Sequence, residues 1–218
     1  MENRILLHIK KDGFMKKQIL YSVIAVLTVL SGCANYSAPP LNDFSSEVIY
    51  SRPVVENEEE NGVLVIAKEF SRVDCKKFLD RDVLSKGYQP VQLSIQNNSD
   101  DSYSFSLSRV GLSCTSPEEV ANTVHTSTVG RATGYGVGAL FIWPLAIPAI
   151  VDGIKSSEAN EALDHDFASK TARDQTILPH SHFNKLIFVP VHVYQAAFEL
   201  TLLNLETGKA ETFNIVSG

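Results

Sequence analysis

Two neighbouring segments constrain this chain more than any other part of it. Tyr88–Asn97 sets Val91, Leu93 and Ile95 against Gln92, Ser94 and Gln96 in strict alternation, and after the polar stretch Asn97–Asp101 the residues Tyr103, Phe105 and Leu107 alternate with serines. A period of two places each set on one face of a pleated strand. Each segment therefore predicts a half-buried strand, and the pair with its turn reads as a hairpin. The alternation then slips by one, Val110 and Leu112 becoming the apolar set, which predicts a bulge near Arg109. Val63–Phe70 is β-branched and apolar, the pattern of a strand buried on both faces at its start. Leu186–Val193, Ala197–Leu205 and Glu211–Val216 predict three more strands, the last two closed into a hairpin by Glu206-Thr207-Gly208-Lys209.

Helical signals are fewer. Asp74 is placed as an N-cap for Cys75, Phe78, Leu79 and Val83 at helical spacing, with Lys86 and Gly87 ending that segment. Ser116-Pro117-Glu118-Glu119 is a helix start with a serine cap, proline at the first helical position and glutamate three residues after the cap. The β pattern does not resume until about Leu186, so about 116–174 reads as one helical insertion, whose later part, Ser157–Ala172, carries Ala159, Leu163 and Phe167 on one stripe. Short strands without strand–helix–strand alternation predict a mainly β chain with a helical insertion (α+β): an antiparallel, Ig-like β-sandwich over 63–218, interrupted by a Gly/Pro-rich helical hairpin.

Inside the insertion, 132–151 carries no formal charge, and Gly130, Gly134 and Gly138 are spaced to fall on one helix face. Such spacing lets helix backbones approach closely in lipid, and the stretch resembles the glycine-zipper segments of some bacterial envelope proteins. Pro144 and Pro148 break helical hydrogen bonding within it. Two readings stay open: an apolar arm docked on the sandwich or on a partner, or a segment that contacts membrane or oligomerises through those three glycines.

The N-terminal region supplies an address. Lys16 and Lys17 precede the uncharged run Ile19–Leu30, and the small residues Ser31 and Gly32 lead to Cys33. A positive region, a short apolar core and a small-residue exit make a secretory signal too short for an ordinary span. Leu30-Ser31-Gly32-Cys33 resembles the lipobox of bacterial lipoprotein precursors. The resemblance implies removal of a signal peptide at 15–32, acylation of Cys33, and anchoring in the cell envelope. Asn35, two residues on, implies the periplasmic face of the outer membrane in a Gram-negative host. Residues 1–14, ahead of Met15, read as a mis-assigned start, and 33–62 as a flexible acidic tether. Within that tether Pro53 demotes Glu47–Val55 as an edge strand, and Glu56–Gly62 reads as a solvated loop.

Of the 19 basic and 25 acidic residues, 1–32 hold five and two, which leaves 14 against 23 and a formal charge of −9. No cationic surplus remains to draw nucleic acid. Membrane contact is expected through acylated Cys33, together with an envelope protein partner.

Cys75 and Cys114 form an even pair, either a disulfide in an oxidising compartment or two buried thiols. His180 and His182 are weak metal candidates, two ligands where three or four must converge. His165, between Asp164 and Asp166, reads as a solvated face, and His125 and His192 lack local partners. No nucleophile elbow, zinc-protease, P-loop or dinucleotide pattern occurs, so no catalytic residue and no cofactor is assigned. The expectation is a lipid-anchored cell-envelope protein with a non-catalytic interaction or structural role. Its rivals are a membrane-inserting or oligomerising protein acting through 130–151, and a hydrolase or metal protein using His180 and His182.

Overall fold

The computed structural model describes residues 35–43, 59–60, 62–126 and 146–218. The chain divides into two compact units, Met1–Asn35 with Thr126–Asn160, and Tyr36–His125 with Glu161–Gly218. In chain order the elements are β1 (Glu59–Glu60), β2 (Val63–Glu69), α1 (Arg72–Leu79), β3 (Tyr88–Asn97), β4 (Tyr103–Phe105), α2 (Pro117–Val124), α3 (Ala146–Lys170), β5 (Gln175–Ile177), β6 (Ser181–Pro190), β7 (Ala197–Asn204) and β8 (Ala210–Val216).

The second unit is an antiparallel sandwich of two four-stranded sheets, ordered β1-β2-β3-β6 and β5-β4-β7-β8. Register sets Val65 opposite Ile95 and Val91 opposite Ile187 in the first sheet, and Leu200 opposite Phe213 in the second. Alternation then sends Val65, Ile95, Phe105, Ile187, Leu200 and Phe213 into one cluster between the sheets. The β7–β8 hairpin forms at the predicted turn, with Gly208 at φ 71° and the Asn204 side chain accepting from the Glu206 and Thr207 amides.

A second core lies on the outer face of the first sheet. There Leu186 and Phe188 of β6 meet Phe78 and Leu79 of α1, Val120 of α2, and Leu163 and Phe167 of α3. Phe167 stacks on Phe188 with ring centroids 5.5 Å apart and planes 8° from parallel. Each such buried side chain contributes about 1.5–3 kcal/mol. Leu186 to Val189 are thus buried on both faces, which explains an unbroken apolar run where a half-exposed strand would alternate. β2 is the reverse case. Val63, Val65 and Ala67 are buried while Leu64, Ile66 and Lys68 are half-buried, so its start is covered on one face only.

Several sequence expectations change in detail. β3 and β4 are not a hairpin: β3 pairs with β2 and β6, whereas β4 pairs with β5 and β7, so the turn between them crosses from one sheet to the other. Buried Asn97 holds that crossing. Its Nδ2 donates to the carbonyls of Asp101 and Leu178 at 2.8 and 2.9 Å, and its Oδ1 accepts from the Ser99 amide and hydroxyl. The phase slip near Arg109 is a 3-10 turn at Leu107–Arg109, not a bulge, after which Val110 bridges to Leu200. Helix α1 is capped by Ser71, with Asp74 at the third helical position in a reciprocal capping box, and it ends at Asp80 in the left-handed region; Gly87 instead closes a separate 3-10 turn at Leu84–Lys86. Helix α2 starts as predicted on Ser116 and Pro117. The β pattern resumes at β5 and at Ser181, earlier than Leu186, because short β5 and the polar start of β6 carry little apolar signal.

In the first unit, the Thr126 amide donates to Asn160 Oδ1 at 2.9 Å and Asn160 Nδ2 donates back to the Thr126 carbonyl at 3.3 Å. Helix α2 and the chain from Glu161 onward belong to the sandwich unit, while Thr126–Asn160 falls in the first unit. Cys33, Gly130, Gly134 and Gly138 lie outside the described residues. Among the described residues no helix is long and apolar enough to cross a membrane.

Candidate functional site

The most developed polar site is a strap, Tyr36–Asp43, laid across the helical side of the sandwich unit. Its first anchor is Tyr36. The Arg81 guanidinium sits 5.1 Å from the ring centroid, and the hydroxyl donates to the Asp166 carboxylate on α3. The same Asp166 oxygen accepts from Lys170 Nζ at 2.7 Å, and Lys170, only 6 % exposed, also donates to the Phe78 carbonyl of α1 at 2.7 Å. One chain of charge-assisted hydrogen bonds thus ties strap, α3 and α1 together. Burial first, and then the Asp166 carboxylate, push the Tyr36 hydroxyl well above the usual phenol range, so it stays a donor. At the end of α1, burial works to raise the Asp80 carboxyl. The Lys76 hydrogen bond, the Lys76 and Arg81 charges and the Ser37 backbone outweigh it and hold that carboxyl below its ordinary value.

The second anchor uses the polar face of β3. The Asn42 carbonyl accepts from Gln92 Nε2 at 2.8 Å and Asn184 Nδ2 at 3.3 Å, and Asn184 Nδ2 also reaches Asp43 Oδ1 at 2.9 Å. His182 lies with Nε2 2.7 Å from the Ser94 hydroxyl and Nδ1 3.4 Å from Asp43 Oδ1. Gln92 and Ser94 are consequently buried. Of the polar half of the β3 alternation, Gln92 bonds the strap directly and Ser94 bonds His182 beside it, while Gln96 stays exposed. Tyr36–Asp43 is therefore a docked segment, where a flexible tether was expected. A cleft of about 530 Å³ borders it, lined by Leu41, Asp166, Ser169, Lys170, Asn184 and Lys185.

The remaining candidates fall elsewhere. His180, at φ 50°, pairs its Nε2 with the exposed Asp100 at 2.9 Å, so His180 and His182 face different partners and do not converge. Among the described residues no group of three or more His, Cys, Asp or Glu gathers where it could hold a metal. His125 has a partner after all, Asp164 at 2.6 Å, but 39 residues away in sequence and so invisible to a local reading. His165 is exposed. Cys75 and Cys114 are free thiols in this structure: Cys75 belongs to the core under the helices, whereas Cys114 packs against the core between the sheets. Burial pushes both thiols up to about 11. A second cleft, of about 520 Å³, opens beside Cys114, Ser116, Thr171, Arg173 and Phe188.

The fold and strap define a two-sheet sandwich with a helical layer and a docked N-terminal segment. No family model, no curated protein and no solved structure matches the chain.

Proposed function

We propose that this chain is a lipid-anchored cell-envelope protein whose sandwich acts by presenting a surface, without catalysing a reaction. The observation that carries the reading is the lipobox-like Leu30-Ser31-Gly32-Cys33 followed, three residues after the cysteine, by Tyr36 locked onto the domain. A lipid-bearing Cys33 combined with a docked strap holds the domain close to the membrane at a defined attitude. A role in interaction is further supported by the polar side chains at the strap, which are spent on joining elements: Asp166 serves Tyr36 and Lys170, and His182 serves Ser94 and Asp43. The test is the mass of the mature N-terminal peptide from membranes of the native host. A diacylglyceryl or triacylated Cys33 at the terminus supports the reading, and a peptide running unmodified from Met1 or Met15 removes it.

A further inference from the structure

We infer that the exposed face of α1 is the membrane-contacting surface of the domain, and that it rests on anionic lipid headgroups. The inference deepens the anchored reading and rests on it. Helix α1 exposes Arg72, Val73, Lys76 and Lys77, residues spaced so that they share one face, and Val73 stands 76 % exposed. The opposite face, with Cys75, Phe78 and Leu79, is buried in the helical core. Arg81 and Lys86 follow, so five cations stand against three carboxylates between Arg72 and Lys86; Asp80 pairs with Lys76 at 2.6 Å and Arg81 at 3.0 Å, which leaves Arg72, Lys77 and Lys86 to carry the surplus. One of those carboxylates, Asp74, is turned back onto Ser71 and Lys68, at 2.7 and 3.0 Å.

Position makes this patch the one that meets the bilayer. Tyr36 lies beside the end of α1, under Arg81 and with Ser37 bonded to Asp80. Three residue steps separate Tyr36 from Cys33, a span of at most about 11 Å even when fully extended. An α-helix of eight residues is only about 12 Å long. Chain connectivity alone thereby keeps the acyl attachment point within about 11 Å of Tyr36, and so within roughly two helix lengths of the farthest of these cations. The rest of the mature chain is acidic and would be repelled by anionic lipid. Charges act over only about 8–10 Å in physiological salt, however, so the local cationic face decides the attitude. Each cation held near such a surface carries about 1 kcal/mol, and Val73 gives an apolar point of contact between them.

The experiment uses the lipidated protein extracted from native membranes and reconstituted into vesicles of phosphatidylcholine alone or with phosphatidylglycerol added. Amine labelling is followed lysine by lysine by mass spectrometry, with exposed Lys209 on the β7–β8 turn as the internal reference. Lys76 and Lys77 are expected to label about fivefold more slowly on the anionic vesicles, the factor that a single cation at such a surface carries. Lys209 should be unchanged. High salt, or Arg72→Glu with Val73→Glu on the exposed face, should abolish the difference. Equal rates on both vesicles with Cys33 acylated overturn this surface and leave the anchor standing. Protection that is equally strong on neutral vesicles and indifferent to salt overturns the anionic-lipid partner in favour of a protein contact. The same peptide map reports the mass at Cys33, and an unmodified cysteine there removes the anchored reading and this inference together.

Discussion

Asn97 reads in the sequence as one more turn former, yet it is the residue that joins the two sheets. Its amide makes four hydrogen bonds from a nearly buried position, and two of the partners are carbonyls on separate connections, Asp101 and Leu178. Local chemistry shows that Asn suits a turn; it does not show which distant carbonyl the side chain will meet. Asn97→Ala is expected to cost about 2–3 kcal/mol, because buried backbone groups lose their partners. The readout is a lower denaturant midpoint with an unchanged slope. Asn97→Asp should fare no better, since a carboxylate in place of the amide nitrogen faces two carbonyls. The cysteines yield a second residue-scale prediction. A thiol-disulfide reagent added without reductant should find buried Cys75 protected in the folded chain and half-buried Cys114, at the cleft, less so, with both fully reactive once it is unfolded. Folding raises both thiols from 9.0 to about 11. The neutral form is thus the one the fold favours: the stability they contribute is complete below about pH 9 and declines as pH climbs from about 9 toward 11. Denaturation midpoints measured across that window should fall, and Cys75→Ala with Cys114→Ala should flatten the part of the decline that the thiols cause.

At the scale of elements, the existence of strands was legible and their neighbours were not. Periodicity reports which face of a strand is apolar. β3 and β4 both turn that face into the intersheet core, so a hairpin and a crossing between sheets leave the same trace in sequence. The run Leu186–Val189 did carry more: a strand with no polar half must be covered twice, and the helical layer supplies the second cover. Phe188→Ala is therefore expected to cost about 3–5 kcal/mol. A double-mutant cycle with Phe167→Ala should leave a coupling of about 0.5–1.5 kcal/mol from the stacked pair. Helix ends were misplaced for an equally physical reason. Ser71 and Asp74 are both good capping residues three apart, and in the capping box each serves the other's backbone. Ser71→Ala should cost about 1 kcal/mol and Ser71→Gly only a few tenths, as measured by thermal or chemical unfolding.

For the whole molecule, the sandwich class followed from composition of the strands, whereas the strap did not, because nothing in Ala38-Pro39-Pro40 or Asn42-Asp43 distinguishes a docked segment from a solvated one. What holds it is supplied from the far side of the chain: Asp166, Asn184 and His182 lie more than a hundred residues from Tyr36 in sequence. The signal that was present lay in the polar half of β3, where Gln92 and Ser94 face a partner that the alternation itself cannot name. A segment held by a tyrosine, a leucine and a few polar bonds should open without unfolding the sandwich, since local openings cost far less than the global transition. Tyr36→Ala with Leu41→Ser is expected to speed amide exchange across 36–43 strongly while β3 and β6 keep their protection. Lys170, still paired with Asp166 and the Phe78 carbonyl, would hold α3 to α1 in its place. Loss of protection throughout both sheets would instead make the strap part of the folding core. The strap would then stay docked on the sandwich for as long as the domain is folded at all, with no released state available to it.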